Sequence, residues 1–303
     1  MTSGFTEKDV SSQAGKTFVI TGANTGLGYE AARVLSKNGA RVIIACRSEE
    51  KANAAIEAIT EENGDVDLKY VALDLGDLAS VRACADQLVQ EDRIDALINN
   101  AGIMVPPYEL TKDGFESQFG VNHLGPFALT SLLLEKLAEA DEPRVINTSS
   151  LAHHAGKIDF KDINAERGYK PSRRYAMSKL ANLLFSNELQ RRLEAADMTT
   201  ISLACHPGVA DTELSRYLPD FLSGTFSLVA GPLFNTAASG AWPTLCAATS
   251  PYVQGGEYYG PAKRRETAGP AIKAKSSRRS QDRKLADRLW QISIQMTGVD
   301  PGI

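Results

Sequence analysis

Tyr175 and Lys179 stand four positions apart in YAMSK, and Ser150 lies upstream at the end of the apolar run RVINTSS. Residues four apart share one face of a helix, one turn from each other. An ammonium placed there favours the phenolate. A free tyrosine has a pKa of about 10. Attraction across roughly 6 Å at an effective dielectric of about 20 is worth about 2.8 kcal/mol. That is about two pKa units and predicts Tyr175 moving towards about 8, fit for proton transfer near neutral pH. By itself Tyr-x-x-x-Lys also reads as a surface cation beside an aromatic. Its weight comes from TGANTGLG at 21–28 and NNAG at 99–102, which precede it in order.

These residues need a scaffold, and the hydropathy pattern supplies one. Short β-branched runs at 17–21, 41–46, 68–75, 95–102, 144–150 and 199–208 read as strands. Helical stretches alternate with them: 28–39, 49–64, 77–92, about 113–138 and 173–196. Near-continuous apolar strands alternating with helices predict an α/β fold of Rossmann type, a doubly wound parallel sheet with helices on both faces. Right-handed crossovers put the strand C-termini on one edge, where ligands bind at the switch in strand order. No linker-like stretch interrupts the first 250 residues, so residues 1–303 read as a single domain with a core over 16–260. Residues 261–303 read as a C-terminal extension with a helix. GGEYYGP (255–261) is expected to be the last strand. Residues 263–284 carry nine Lys/Arg against Glu266 and Asp282, which reads as a flexible solvated tail or a contact for an anion or an acidic surface. Leu285, Leu289, Ile292 and Met296 then recur at helical spacing, so that helix should pack on the domain.

TGANTGLG falls between the first strand and the first helix. Gly22, Gly26 and Gly28 permit a tight turn and close backbone approach, and Asn24, Thr25 and Leu27 complete the loop. The helix N-terminus that follows offers free N–H groups to a pyrophosphate. The end of the second strand selects the nucleotide. NAD enzymes usually place an acid there for the ribose hydroxyls. Here the residues are Ala45-Cys46-Arg47-Ser48. A guanidinium matches a phosphate by charge and forked hydrogen bonds, so Arg47 predicts NADP(H), with Lys51 or Asn24 as helpers. Asp74-Leu75 ends the third strand; its carboxylate suits an adenine amino group or a cap for the helix starting near Asp77.

With 43% hydrophobic and 23% charged residues, the chain has the composition of a soluble globular protein. A net charge of −4 argues against nucleic acid as the main partner. Cys46, Cys84, Cys205 and Cys246 form no CxxC pair, which points to buried thiols rather than a zinc or redox motif. No metal site is expected; His153-His154 lacks further ligands and reads as a polar loop rim or a substrate contact. The polar N-terminus has no apolar signal region and no run is long enough to span a membrane, so a cytoplasmic location is expected.

Taken in order, TGANTGLG, NNAG, YAMSK and HPGVADT make the chain resemble the short-chain dehydrogenase/reductase family over roughly 16–260. ACRS, FGVNHLGPF, SSLAHHAG and SKLANLLF resemble its retinol-dehydrogenase-like branch. The resemblance implies that Asn99, Ala101 and Gly102 steady the sheet and approach the cofactor ribose. It gives Asn122 a water that leads protons towards Lys179, Ser150 the substrate oxygen, and Tyr175 the proton. Lys179 would hold the nicotinamide ribose. Pro207, Gly208, Val209 and Thr212 would hold the nicotinamide carboxamide. Twenty-five positions separate Ser150 from Tyr175, about twice the family's usual interval, and strand alternation lets only one of Ser149 and Ser150 face the cofactor. The apolar segment 213–236 reads as a lid over a lipophilic substrate, a packed helix or a subunit interface. The expected function is NADP(H)-dependent interconversion of an alcohol with a ketone or aldehyde, with a small-molecule carbonyl or alcohol as partner and a homo-oligomer as the family's habit. A non-catalytic NADPH sensor is the alternative of a different class, opposed by intact Asn122, Ser150, Tyr175 and Lys179. A protochlorophyllide-type reductase would bind pigment.

Overall fold

Strand β1 (Thr17–Thr21) is buried along its whole length, and its side chains divide between two layers. Phe18 and Ile20 join one apolar cluster; Val19 joins another. Strand β2 (Arg41–Cys46) repeats the pattern, with Val42 and Ile44 on one side and Ile43 and Ala45 on the other. The period of two thus feeds two helix layers from one sheet, which is why these runs are apolar throughout. Helices α1 (Gly26–Lys37) and α2 (Glu49–Asn63) cover the first face. Helices α3 (Leu78–Leu88), α4 (Gly125–Leu137) and α5 (Pro171–Ala195) cover the second. The computed structural model describes residues 4–209 and 235–303. Thr212 and the segment 213–236, except for its last two residues, lie outside them.

The remaining strands are β3 (Leu68–Ala72), β4 (Ala96–Asn99), β5 (Arg144–Thr148), β6 (Ile201–Cys205), β7 (Tyr258–Lys263) and β8 (Ala268–Lys273). Their order is β3-β2-β1-β4-β5-β6-β7-β8, parallel from β3 through β7. The chain winds outwards from β1 in one direction and from β4 in the other. The carboxyl ends of β1 and β4 therefore face a crevice at the reversal point.

The sheet departs from expectation at its far edge. Residues 263–284 are not a solvated tail, and the sheet does not end near 260. Strand β8 pairs antiparallel with β7, with a register shift between Pro261 and Lys263. A 3-10 turn at Arg278–Gln281 follows. Helix α6 (Trp242–Thr249) packs against the β5–β7 region, and the terminal helix α7 (Arg283–Thr297) packs on α5 as its apolar spacing required. The stretch 113–138 is not one helix. A short turn at Ser117–Phe119 leads into a π-helical turn at Gly120–Leu124, and regular α-helix begins at Gly125. A methyl at Gly125 would sit 2.5 Å from the Leu75 carbonyl oxygen, so the helix starts where the chain can approach the β3 end most closely. Strands β1 and β2 keep the bounds of their apolar runs, whereas β3, β4, β5 and β6 are shorter than theirs, because the last residues of those runs leave the sheet to form the loops that carry the site.

Candidate active site

At the reversal point the glycine loop closes around a cavity of about 230 Å³. Gly22 (φ 68°) and Gly26 (φ 60°) adopt left-handed conformations that side chains disfavour. Thr25 leaves the first amides of α1 uncapped by its side chain, so they are available to an anion. Gly22, Asn24, Thr25, Gly26 and Leu27 line the cavity; so do Arg47, Lys51, Asp74, Leu75, Ala101 and Gly102. Arg47 and Lys51 are exposed at its mouth. An uncapped helix end, left-handed glycines and two cations fit the phosphates of a dinucleotide.

Two predicted loop residues sit elsewhere. Gly28 does not line the cavity: a methyl there would lie 2.5 Å from Asn100 Nδ2 and 2.7 Å from the Gly22 carbonyl. Its role is to bring helix and strand together. Asn99 points into the sheet, where its amide donates to Thr130 Oγ1 at 2.9 Å and Asn147 Oδ1 at 3.0 Å. Its neighbour Asn100, which the sequence reading missed, lines the cavity and donates to the Thr21 carbonyl at 2.9 Å. Strand alternation decides between the pair, and a run of two asparagines hides it. Asp74 caps no helix. Its carboxylate accepts from the Gly76 amide at 2.9 Å, while Asp77 caps α3 by accepting from Ala79 and Ser80.

The second half of the site lies at the ends of β5 and β6. Ser149 turns inward and donates to the Lys179 carbonyl at 2.8 Å. Ser150 lies on the other face, hydrogen-bonded with Tyr175 and capping the 3-10 turn after it through the Ala152 amide. Alternation along β5 therefore assigns the outward serine to Ser150. Lys179 is buried and donates to the Thr148 carbonyl at 3.2 Å. Gly102 joins this half to the cavity: a methyl added there would stand 3.0 Å from Asn122 Oδ1 and 3.4 Å from Lys179 Nζ. Asn122 sits in the π-helical turn and clamps Ile103, accepting from its amide at 2.8 Å and donating to its carbonyl at 2.9 Å, with a further donation to Ser178 Oγ. Its side chain thus braces the wall of the site. Pro207, Gly208 and Val209 follow β6, apart from the lining of the glycine-loop cavity, with Gly208 at φ 77°.

The electrostatics differ from the sequence expectation. Burial pushes the Tyr175 hydroxyl above its ordinary value of 10, and the hydrogen bond with Ser150 offsets only part of this. The same burial pulls Lys179 down to about 8. Desolvation penalises both charged forms and outweighs the attraction that a surface-like dielectric suggested. His153 is also not on a rim. It is fully buried, and its Nε2 accepts from the Ser277 amide at 3.1 Å. The proton then belongs on Nδ1, which faces the Ser150 carbonyl at 2.7 Å. Burial pulls its pKa down to about 4, so it serves as a neutral bracket behind Ser150. His154 beside it is exposed.

A glycine-loop cavity beside a Ser-Tyr-Lys cluster on this strand order is the architecture of a nicotinamide-dependent oxidoreductase, and comparison with known proteins agrees. The family model described as short chain dehydrogenase matches residues 16–222. Retinol dehydrogenase 12 of Mus musculus is 43% identical over 290 residues, covering 94% of this chain and 87% of that protein. Retinol dehydrogenase 13 of Homo sapiens is 43% identical over 288 residues, covering 94% and 86%. A crystal structure of an uncharacterised protein from Mycobacterium Paratuberculosis superposes with a TM-score of 0.83 at 42% identity, covering 99% of this chain and all of that one. The chain belongs to the short-chain dehydrogenase/reductase family. Its chemistry is alcohol–carbonyl oxidoreduction with a nicotinamide cofactor.

Proposed function

We propose that this chain is an NADP(H)-dependent enzyme interconverting a lipophilic alcohol with its aldehyde or ketone. The observation that carries the reading is Arg47 at the end of β2, with Lys51 beside it, on the cavity built by the glycine loop. No acid occupies 45–47 to take ribose hydroxyls. Two cations suit a 2′-phosphate instead. The names of the relatives, retinol dehydrogenases, support a lipophilic alcohol or aldehyde as substrate.

The chain's own residues divide the work. When bound, the nicotinamide supplies or accepts the hydride. In the reductive direction Tyr175 donates its hydroxyl proton to the carbonyl oxygen. Ser150 donates a hydrogen bond to the same oxygen and stabilises charge developing there. Lys179 holds the ribose hydroxyls and steadies the phenolate. Pro207 and Gly208 offer backbone carbonyl oxygens to the amino group of the carboxamide. A Tyr175 pKa held above 10 by burial keeps the acid form at neutral pH, which suits reduction. Oxidation of an alcohol needs the phenolate and is favoured at alkaline pH.

The test is turnover of a panel of aldehydes and ketones, retinal and medium-chain aldehydes included, with NADPH and separately with NADH. Reduction with NADPH preferred is the expected result. A preference for NADH overturns the cofactor assignment, and tight NADPH binding without turnover on the panel favours a sensor.

A further inference from the structure

His206 is fully buried at the end of β6, and both ring nitrogens are engaged. Nδ1 lies 3.2 Å from the Gly208 amide, which donates to it. An accepting Nδ1 leaves the proton on Nε2, and Nε2 lies 3.1 Å from Glu266 Oε2. The seat is built for this ring: a Cβ on Gly260 would stand 2.0 Å from Nε2. Glu266 reaches it from an unusual turn between β7 and β8, where Arg264, Arg265 and Glu266 all have left-handed backbone at φ 54°, 57° and 66°. Such conformations are uncommon for residues with side chains and persist where the surroundings require them.

We propose that Glu266 is a positioning residue: it fixes the His206 tautomer, and through it the Pro207-Gly208 turn, for the nicotinamide end of the cofactor. The inference rests on the assignment of that turn to the carboxamide. Without the carboxylate, His206 is free to carry its proton on Nδ1. Two donors would then face each other at the Gly208 amide, and the turn would lose that one anchor. The hairpin grips the turn by other bonds as well. The Thr267 carbonyl accepts from Val209 at 3.1 Å, and Asn235 joins the Pro207 carbonyl at 2.9 Å to the Gly269 amide at 3.1 Å. Removing the carboxylate therefore spares the fold and disturbs the turn.

The experiment compares NADPH with 2′-phospho-ADP-ribose, which lacks nicotinamide, by calorimetry on the full chain and on E266A and E266Q. E266A is expected to bind NADPH about tenfold more weakly, because the free chain then holds the competent His206 tautomer and turn only about a tenth of the time. Its affinity for 2′-phospho-ADP-ribose should be unchanged. The amide oxygen of E266Q still accepts from Nε2, so that variant should return to within about twofold of the unmodified chain. Equal losses for both compounds, or none for either, overturn the proposal. If the unmodified chain discriminates against the 2′-phosphate, the NADP reading fails on its own, and NADH with ADP-ribose gives the same comparison.

Discussion

The Lys179 ammonium lies 5.7 Å from the centre of the Tyr175 ring, one helical turn away, while its hydrogen bond runs to the Thr148 carbonyl on β5. The two residues thus share a face of α5, yet the cation is tied to the sheet. Burial sets the properties of both. Each resists its charged form, so the site is primed by a neutral phenol and a cation with a weakened hold on its proton.

Lys179 should cost stability. The unfolded chain keeps this proton up to about pH 10.5, whereas the folded chain releases it at about 8. Between those values the unfolded state binds more protons, so stability rises with pH; below about 8 the penalty is complete, on the order of 1–3 kcal/mol. K179M should melt several degrees higher than the unmodified chain at neutral pH, with the gap closing in strong alkali, and should lose turnover. Thr148 keeps a donor in Asn182 at 3.0 Å. A lower melting temperature for K179M across the whole pH range would contradict this account.

Y175F should lower the rate of carbonyl reduction by roughly 10²- to 10⁴-fold, the usual contribution of a positioned proton donor. NADPH affinity should hold. In the unmodified chain, alcohol oxidation should climb with pH well past neutrality, because burial raises the Tyr175 pKa. Stopped-flow rates and equilibrium binding separate the two effects, and a fall in binding that matches the fall in rate would assign Tyr175 a structural role instead.

R47D removes a cation from the mouth of the cavity and installs the acid that suits ribose hydroxyls. The ratio of kcat/KM for NADPH over NADH should drop by about 10²-fold, the loss of one or two charge-assisted hydrogen bonds. An unchanged ratio would show that this strand end does not read the nucleotide.

W290A should destabilise the whole domain. Trp290 on α7 is 2% exposed, meets Phe127 edge-on at 5.3 Å and Phe185 at 5.9 Å, and lies under the Arg192 guanidinium. Truncation of a buried aromatic costs about 3–5 kcal/mol. Urea unfolding measures it; a loss near zero would mean that α7 is an appendage.

Sequence and structure agree where a local rule decides the outcome. The spacing of Tyr175 and Lys179 needs only the helical period, and the glycines at 22 and 26 need only a turn between strand and helix. The reading stops where depth or a distant partner decides. The direction of the Tyr175 shift depends on how much water reaches the hydroxyl, which no spacing encodes. His153 looks like a rim residue until Ser277, more than a hundred positions on, is brought against it. Gly269 and Pro270 interrupt the strand pattern of β8, and nine cations around it suggest solvent. Pairing with β7 overrides both signals.

The edge of the sheet carries a consequence for the order of assembly. Phe5 exchanges both backbone hydrogen bonds with Ala271 at 2.8 Å, so the start of the described chain closes the outer side of β8. Those two residues lie almost a full chain length apart. On a ribosome the segment around Phe5 emerges long before its partner at Ala271 and must wait for it. Contacts of such separation form late and slowly. Until then the nascent sheet presents an open edge, the state most exposed to misassociation. The bridge at Phe5 is thus a seal that cannot form until β8 has been made.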